Sequence, residues 1–301
     1  MNHQFIVKNH RDQTQPLKKV NASEGRETLD VYLAPDGNNQ AAVEKMTQKA
    51  QEWHDNIMVG LISRDIAWQA SQTTIMKSLE CPLVALTLNQ EECNKIMKPV
   101  KFATLAKSSI NRNYPLSVLH GPKKEGGLGL PNLYNTQGIL HLQKLQQHLG
   151  NDTITSKLIT VSIESTMLEV GIGRNIFDLD YEKFSLLATD GWIKGIWKFV
   201  QEKNIQIVDR VTQYPPLQRQ GDVFLMEIFQ NKGYKRSQII KFNHCRKYLQ
   251  ALTLSNIMQA SGEAFTTAYR VTKDEFFHSK YNWPKTTRPG SAARKLWRSA
   301  L

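Results

Sequence analysis

From Asn39 onward, apolar residues recur three and four positions apart: Val43, Met46, Ala50, Trp53 and Ile57. That spacing puts them on one stripe of a 3.6-residue helix, with Lys and Glu on the other face. The same period returns along most of the chain's 301 residues. A chain patterned this way builds its core from packed helices, not from a large sheet. A second helix is expected to start near Ser63 and to stop at Leu79–Glu80, because Pro82 cannot continue it. Asn89 followed by Glu92 reads as an N-cap with its reciprocal partner, opening a helix that carries Cys93, Ile96 and Met97. Pro99 is expected to bend or end that helix.

Helical patterns resume at about Gln137 with Ile139, Leu142, Leu145 and Leu149, and again with Ile154, Leu158, Val161 and Leu168. Gly171 is placed to cap the latter helix. Asp190 stands where an N-cap would precede Trp192, Ile193, Ile196, Trp197 and Val200. Shorter helices are expected from about Asp222, Ser237 and Ser255.

Three stretches break the pattern. At the start, Gln4–Lys8 is a short apolar run, Glu27–Leu33 alternates, and Pro35-Asp36-Gly37 is a turn signal, so a small hairpin or strand pair is expected. Between Lys107 and Tyr134 stand Pro115, Gly121-Pro122, Gly126-Gly127, Gly129 and Pro131, which predict an ordered loop. Tyr181–Gly191 reads as a linker, with Ser185–Ala188 as a helical alternative. The expected architecture is mainly α: a multi-helix, bundle-like region preceded by a small β-hairpin, with a second helical region. The expected segments are 1–37, 38–171, 172–265 and a basic, aromatic tail at 266–301, with the main division near Gly171–Gly191.

Charge narrows the function. Lys and Arg total 39 against 27 Asp and Glu, a formal charge of +12. An excess of that size attracts polyanions over a Debye length of about 8–10 Å. Nucleic acid is the partner class it favours; an interaction with acidic proteins is the alternative. The three cysteines, Cys81, Cys93 and Cys245, contain no C-x-x-C pair. That excludes a zinc knuckle or a disulfide framework and suggests a reducing, intracellular compartment. His244-Cys245 are adjacent on a helix and diverge, so no metal or other cofactor is expected. The opening MNHQFIVKNH has no apolar run of signal-peptide length, and no stretch reaches the ~18 apolar residues of a membrane helix.

The basic residues cluster. From Asn94 to Lys124 stand Lys95, Lys98, Lys101, Lys107, Arg112, Lys123 and Lys124, with no Asp or Glu among them. Lys95 and Lys98 share a helix face. Arg112 and Lys123-Lys124 lie in the Gly/Pro-rich loop, which could offer backbone N–H groups and side chains together to phosphate. A second cluster holds Arg270, Lys273, Lys280, Lys285, Arg288, Arg294, Lys295 and Arg298, interleaved with Trp283, Trp297 and other aromatics. Aromatic faces beside cations can hold unpaired bases; aromatics at this spacing can equally be core. Glycines 126, 127 and 129 do not form the G-x-x-x-x-G-K-[ST] phosphate loop.

Two segments carry a family resemblance. Glu27-Thr-Leu-Asp-Val-Tyr-Leu-Ala-Pro-Asp-Gly37 is similar to the "LGVxLxxDG" segment that closes the palm in reverse transcriptases of non-LTR retrotransposons. Gly126-Gly-Leu-Gly-Leu-Pro-Asn-Leu133 resembles the "GGLGLPDL" segment that follows the thumb in those proteins. The likeness covers roughly residues 27–149 and is looser beyond. It implies end-of-palm strands, a thumb-like helical region over 38–171, and contact with DNA, RNA or an RNA–DNA hybrid. Asp30 stands where the family has Gly. The paired carboxylates that hold two metal ions in the family have no counterpart here: Asp12 is the sole Asp before Glu27, and no Asp-Asp dipeptide occurs. Asp178-Leu-Asp180 is the nearest imitation. The implied role is therefore nucleic-acid binding without catalysis, alone or beside a palm-bearing polymerase chain.

Overall fold

A computed structural model describes residues 6–8, 12–16, 20–208, 212–270 and 281–301. The described chain is mainly helical, with small antiparallel hairpins at its start. It divides into two compact units, 1–137 and 138–301. The division falls inside a helix, whereas the sequence suggested 171–191.

In the first unit, strands β1 (Ile6–Lys8) and β2 (Thr14–Pro16) pair antiparallel. So do β3 (Arg26–Thr28) and β4 (Val31–Leu33). The expected single alternating strand over 27–33 instead folds back on itself. Leu29 and Asp30 form a two-residue turn with φ of 51° and 62°, the doubly left-handed geometry whose twist matches a hairpin. Asp tolerates that region better than most residues. The Pro35–Gly37 turn is present too, with Gly37 N donating to Ala34 O at 2.9 Å, but it leads into a helix and not into a second strand.

Helix α1 (Gln40–Val59) buries Ala42, Val43, Met46 and Ala50, four members of the predicted stripe or its flank. It packs along α4 (Gln90–Lys107). Between them, α2 (Arg64–Ala70) starts at Ser63, whose side chain accepts from Ile66 N. It passes through a wider π turn at Ser71–Ile75 into α3 (Met76–Leu83). Two prolines behave differently from expectation. Pro82 sits inside the last turn of α3, and α4 does not end at Pro99 but continues to Lys107. Each costs one backbone hydrogen bond, but the buried side chains on both sides of it hold the helix together. The expected capping box is formed: Asn89 Oδ1 accepts from Glu92 N at 2.9 Å, and Glu92 Oε2 accepts from Asn89 N at 2.8 Å.

The second unit begins in α6 (Leu133–His148) and continues with α7 (Ile154–Val170). Gly171 ends α7 at φ 85°, its N–H bonded to Met167 O. The stretch read as a linker, 181–191, is packed core: Phe184, Leu187 and Ala188 are buried, on α8 (Tyr181–Phe184) and the turn that follows. Helix α9 (Trp192–Glu202) starts at Gly191, not Asp190; Asp190 instead pairs with Lys194 at 2.8 Å. The remaining helices are α10 (Leu225–Asn231), α11 (Arg236–Leu249) and α12 (Ser291–Ala300).

Arg246 on α11 organises this unit. Its guanidinium is fully buried and donates to Leu168 O at 2.6 Å, Glu169 O at 3.0 Å, Ala251 O at 3.3 Å and Asn243 Oδ1 at 2.7 Å. The acceptors include the last carbonyls of α7, where a cation is favoured by the helix dipole. Burial pushes the group down to about 9, so it remains charged at neutral pH. Replacing it strands several buried acceptors. Arg246→Met should lower stability by about 2–4 kcal/mol in urea denaturation, and Arg246→Lys should recover little, because one ammonium cannot span the set. A loss below ~0.5 kcal/mol would show that the carbonyls find other donors.

Candidate functional site

Burial of one face of α4 decides which of its cations reach solvent. Cys93, Ile96, Met97, Val100, Ala103 and Thr104 are buried. At 100° per residue their faces centre opposite Lys95 and Lys98, which are exposed. Lys101 lies at the edge of this face and is half-buried. Glu91 and Glu92 occupy the first turn, and the lysines follow toward the C-terminus, the order the helix dipole favours. The Cys93 thiol behind them is pushed up to about 12 by burial and stays protonated.

The sequence reading missed Phe102. It is 44% exposed, seven residues from Lys95 and four from Lys98, and so on their face. Its ring meets that of His54 on α1 at 5.7 Å, tilted by 42°. The signal was available as spacing, but an aromatic within a helical run reads by default as core.

Lys107 departs from its predicted role. It falls on the inner side of α4, and its Nζ donates to Gly60 O at 3.1 Å, at the end of α1. There it serves as a C-terminal cap. The acid-free run therefore supplies six outward cations: Lys95, Lys98, Lys101, Arg112, Lys123 and Lys124. None of the six forms an ion pair or hydrogen bond among the described residues.

The loop after α4 is tightly built. Helix α5 (Leu116–His120) leads to a 3-10 turn, Lys123–Glu125, and then to the glycine segment. Leu105, Leu119 and Leu130 form a small core with Trp68, Ile110 and Leu128 against it, which fastens the loop to the end of α4. The backbone N–H groups of the segment are spent internally. Gly127 N donates to Pro122 O at 3.0 Å, Leu128 N to Val118 O at 2.8 Å, Gly129 N to Gly121 O at 2.9 Å and Leu130 N to Leu119 O at 2.9 Å. They do not face a phosphate, so the expected backbone contribution falls away and the side chains remain. Lys123 and Lys124 are exposed, and the Lys123 stem lies against Gly129.

Of the tail's aromatics, the described tryptophans are placed against the core. Trp297 is fully buried, and its Nε1 donates to Tyr269 O at 2.6 Å. Trp283 is half-buried against the core, with the Arg246 guanidinium 5.4 Å from its ring centre. Trp297 offers no face to a base, which corrects the stacking role considered for it, whereas Trp283 is only partly covered. Trp297 falls on the α12 stripe of Ala293, Trp297 and Ala300, a helical spacing that core packing also explains. Arg294 is half-buried; Lys285, Arg288, Lys295 and Arg298 are exposed. Lys273, Lys280 and the side chain of Arg270 lie outside the described residues. Asp180 caps α8 through Lys183 N, and Asp178 is exposed.

Among the described residues, no group of three or more His, Cys, Asp or Glu side chains is placed to hold a metal ion. No helix there is long and apolar enough to cross a membrane. Comparison with family models, with curated proteins and with solved structures found no match to the chain.

The glycine segment yields a graded prediction. A Cβ at Gly127 would stand 2.2 Å from Gly121 O, whereas one at Gly126 meets nothing within 4 Å but carries φ +82°. Gly127→Ala should therefore cost about 2–4 kcal/mol in thermal denaturation, and Gly126→Ala only about 1 kcal/mol of backbone strain. The reverse order would mean that the loop is not held by this close approach.

Proposed function

We propose that this chain is a nucleic-acid-binding polypeptide derived from a retroelement reverse transcriptase, gripping a phosphodiester backbone without itself catalysing nucleotide transfer. The observation that carries the reading is the set of six outward cations between Asn94 and Lys124, unpaired among the described residues and uninterrupted by acid. Phosphates are contacted by such side chains through charge and hydrogen bonds, with little dependence on base sequence. A primer–template or RNA–DNA hybrid is the ligand class that the family resemblance adds.

Two further points support the resemblance. Asp30 takes φ 62°, a conformation glycine adopts freely, at the position where the similar motif carries glycine. Gly127 takes part in a backbone approach that excludes a side chain, a physical reason for the paired glycines of the similar segment. In this reading the catalytic carboxylates are not among the residues of this sequence; a subunit role beside a palm-bearing polymerase chain is the alternative. The site is intracellular, where the free cysteines Cys81, Cys93 and Cys245 stay reduced.

Neutralising two cations at two places separates this role from general basicity. Lys95→Gln/Lys98→Gln should weaken binding to a 20-mer hybrid by about 10-fold in fluorescence anisotropy at about 0.1 M salt. Lys203→Gln/Lys241→Gln removes the same charge from the second unit and should change affinity less than about 2-fold. Equal losses from both pairs would replace the site with a diffuse field.

A further inference from the structure

Helix α7 carries apolar residues on two opposite faces. One faces the core of its unit through Ile159, Ile163 and Met167, all buried. The other presents Ile154, Leu158 and Val161, exposed by 79, 62 and 60%, with Ser165 completing the row. The spacing of four, three and four is that of alternating d and a positions in a heptad. The residues that would flank such a seam are Lys157 and Glu164 on one side and Thr155, Ser162 and Glu169 on the other.

We infer that two copies of this chain pair through this row, with the α7 helices antiparallel about a two-fold axis near residues 159–160. The occupant is fixed by complementarity of the row to itself. In that register Leu158 meets the partner's Val161, and Ile154, the largest overhang, meets the partner's Ser165, the smallest. The flanking positions then bring Lys157 beside the partner's Glu164 twice, once at each end, while Thr155 meets the partner's Ser162. A parallel pair is disfavoured, since it would set Glu164 against the partner's Glu169. The row itself is uncharged, so a chain of net charge +12 can approach its own copy there with least repulsion. Lys157 now pairs with Asp152 at 2.7 Å, both side chains more than two-thirds exposed; such a contact exchanges at little cost.

A seam of four layers lies below the ~1,200 Å² typical of stable complexes. A dissociation constant of about 1–100 µM is therefore expected. The inference rests on the second unit alone and does not depend on nucleic-acid binding.

Sedimentation velocity of the full chain, nuclease-treated and run from about 1 to 200 µM at about 0.1 M salt, tests it. A reversible monomer–dimer equilibrium is expected. Val161→Glu should abolish it, shifting the dissociation constant by more than about 100-fold. Lys157→Glu or Glu164→Lys alone should weaken it by about 3–10-fold, and the two together should restore it to within about 2-fold. Val161 and Lys157 are exposed and Glu164 is half-buried, and none is in the core, so circular dichroism should show unchanged helix content. If Val161→Glu does not fold, the charge-exchange series decides. A chain monomeric throughout, a dimer indifferent to these changes, or single losses that the double variant does not repair would overturn the proposal.

Discussion

The basic face exists because α4 must bury its opposite side against α1. Each fully buried Ile, Met or Val contributes roughly 1.5–3 kcal/mol, far more than the mutual repulsion of a few solvated lysines. Packing therefore sets the rotation of α4, and Lys95, Lys98 and Phe102 are carried outward as a consequence. The Asn89–Glu92 capping box fixes where the helix begins. Leu105, buried with Leu119 and Leu130, ties the loop cations to where it ends. Lys107 shows the same rule from the other side: at the inner rotation it becomes a cap on α1.

The second unit meets its charge differently. Arg246 is buried without a carboxylate, yet each of its three guanidinium nitrogens finds a carbonyl or amide acceptor. A helix C-terminus gathers such acceptors, so the cation closes α7 where Gly171 turns the chain away. Trp283 covers the guanidinium and Trp297 fills the space below α12. Among the described residues of the tail, Trp283 and Trp297 lie against the core while Lys285, Arg288, Lys295 and Arg298 are exposed.

Periodicity and capping were legible in the sequence because both are local. The stripe of α1, the Ser63 and Asn89 caps and the Gly171 stop each follow from a few neighbouring residues. What was not legible depended on partners distant in sequence. Pro82 and Pro99 are tolerated because of packing around them. The 181–191 stretch is core because Phe184, Leu187 and Ala188 are covered by other helices. For the candidate site, the acid-free run was plain in the sequence, but the loss of Lys107 and the exposure of Phe102 required knowing the rotation of α4. That the loop's N–H groups are unavailable to phosphate was also not legible: those of the glycine segment are bonded to Pro122, Val118, Gly121 and Leu119.

The central claim is that four to six of these cations meet phosphates directly. The most direct measurement is the affinity of the full chain for an RNA–DNA hybrid across a salt series. The account requires log K to fall linearly with log salt with a slope of roughly −3 to −5, largely independent of base sequence. A slope near zero, or affinity set by sequence and not by salt, would contradict it.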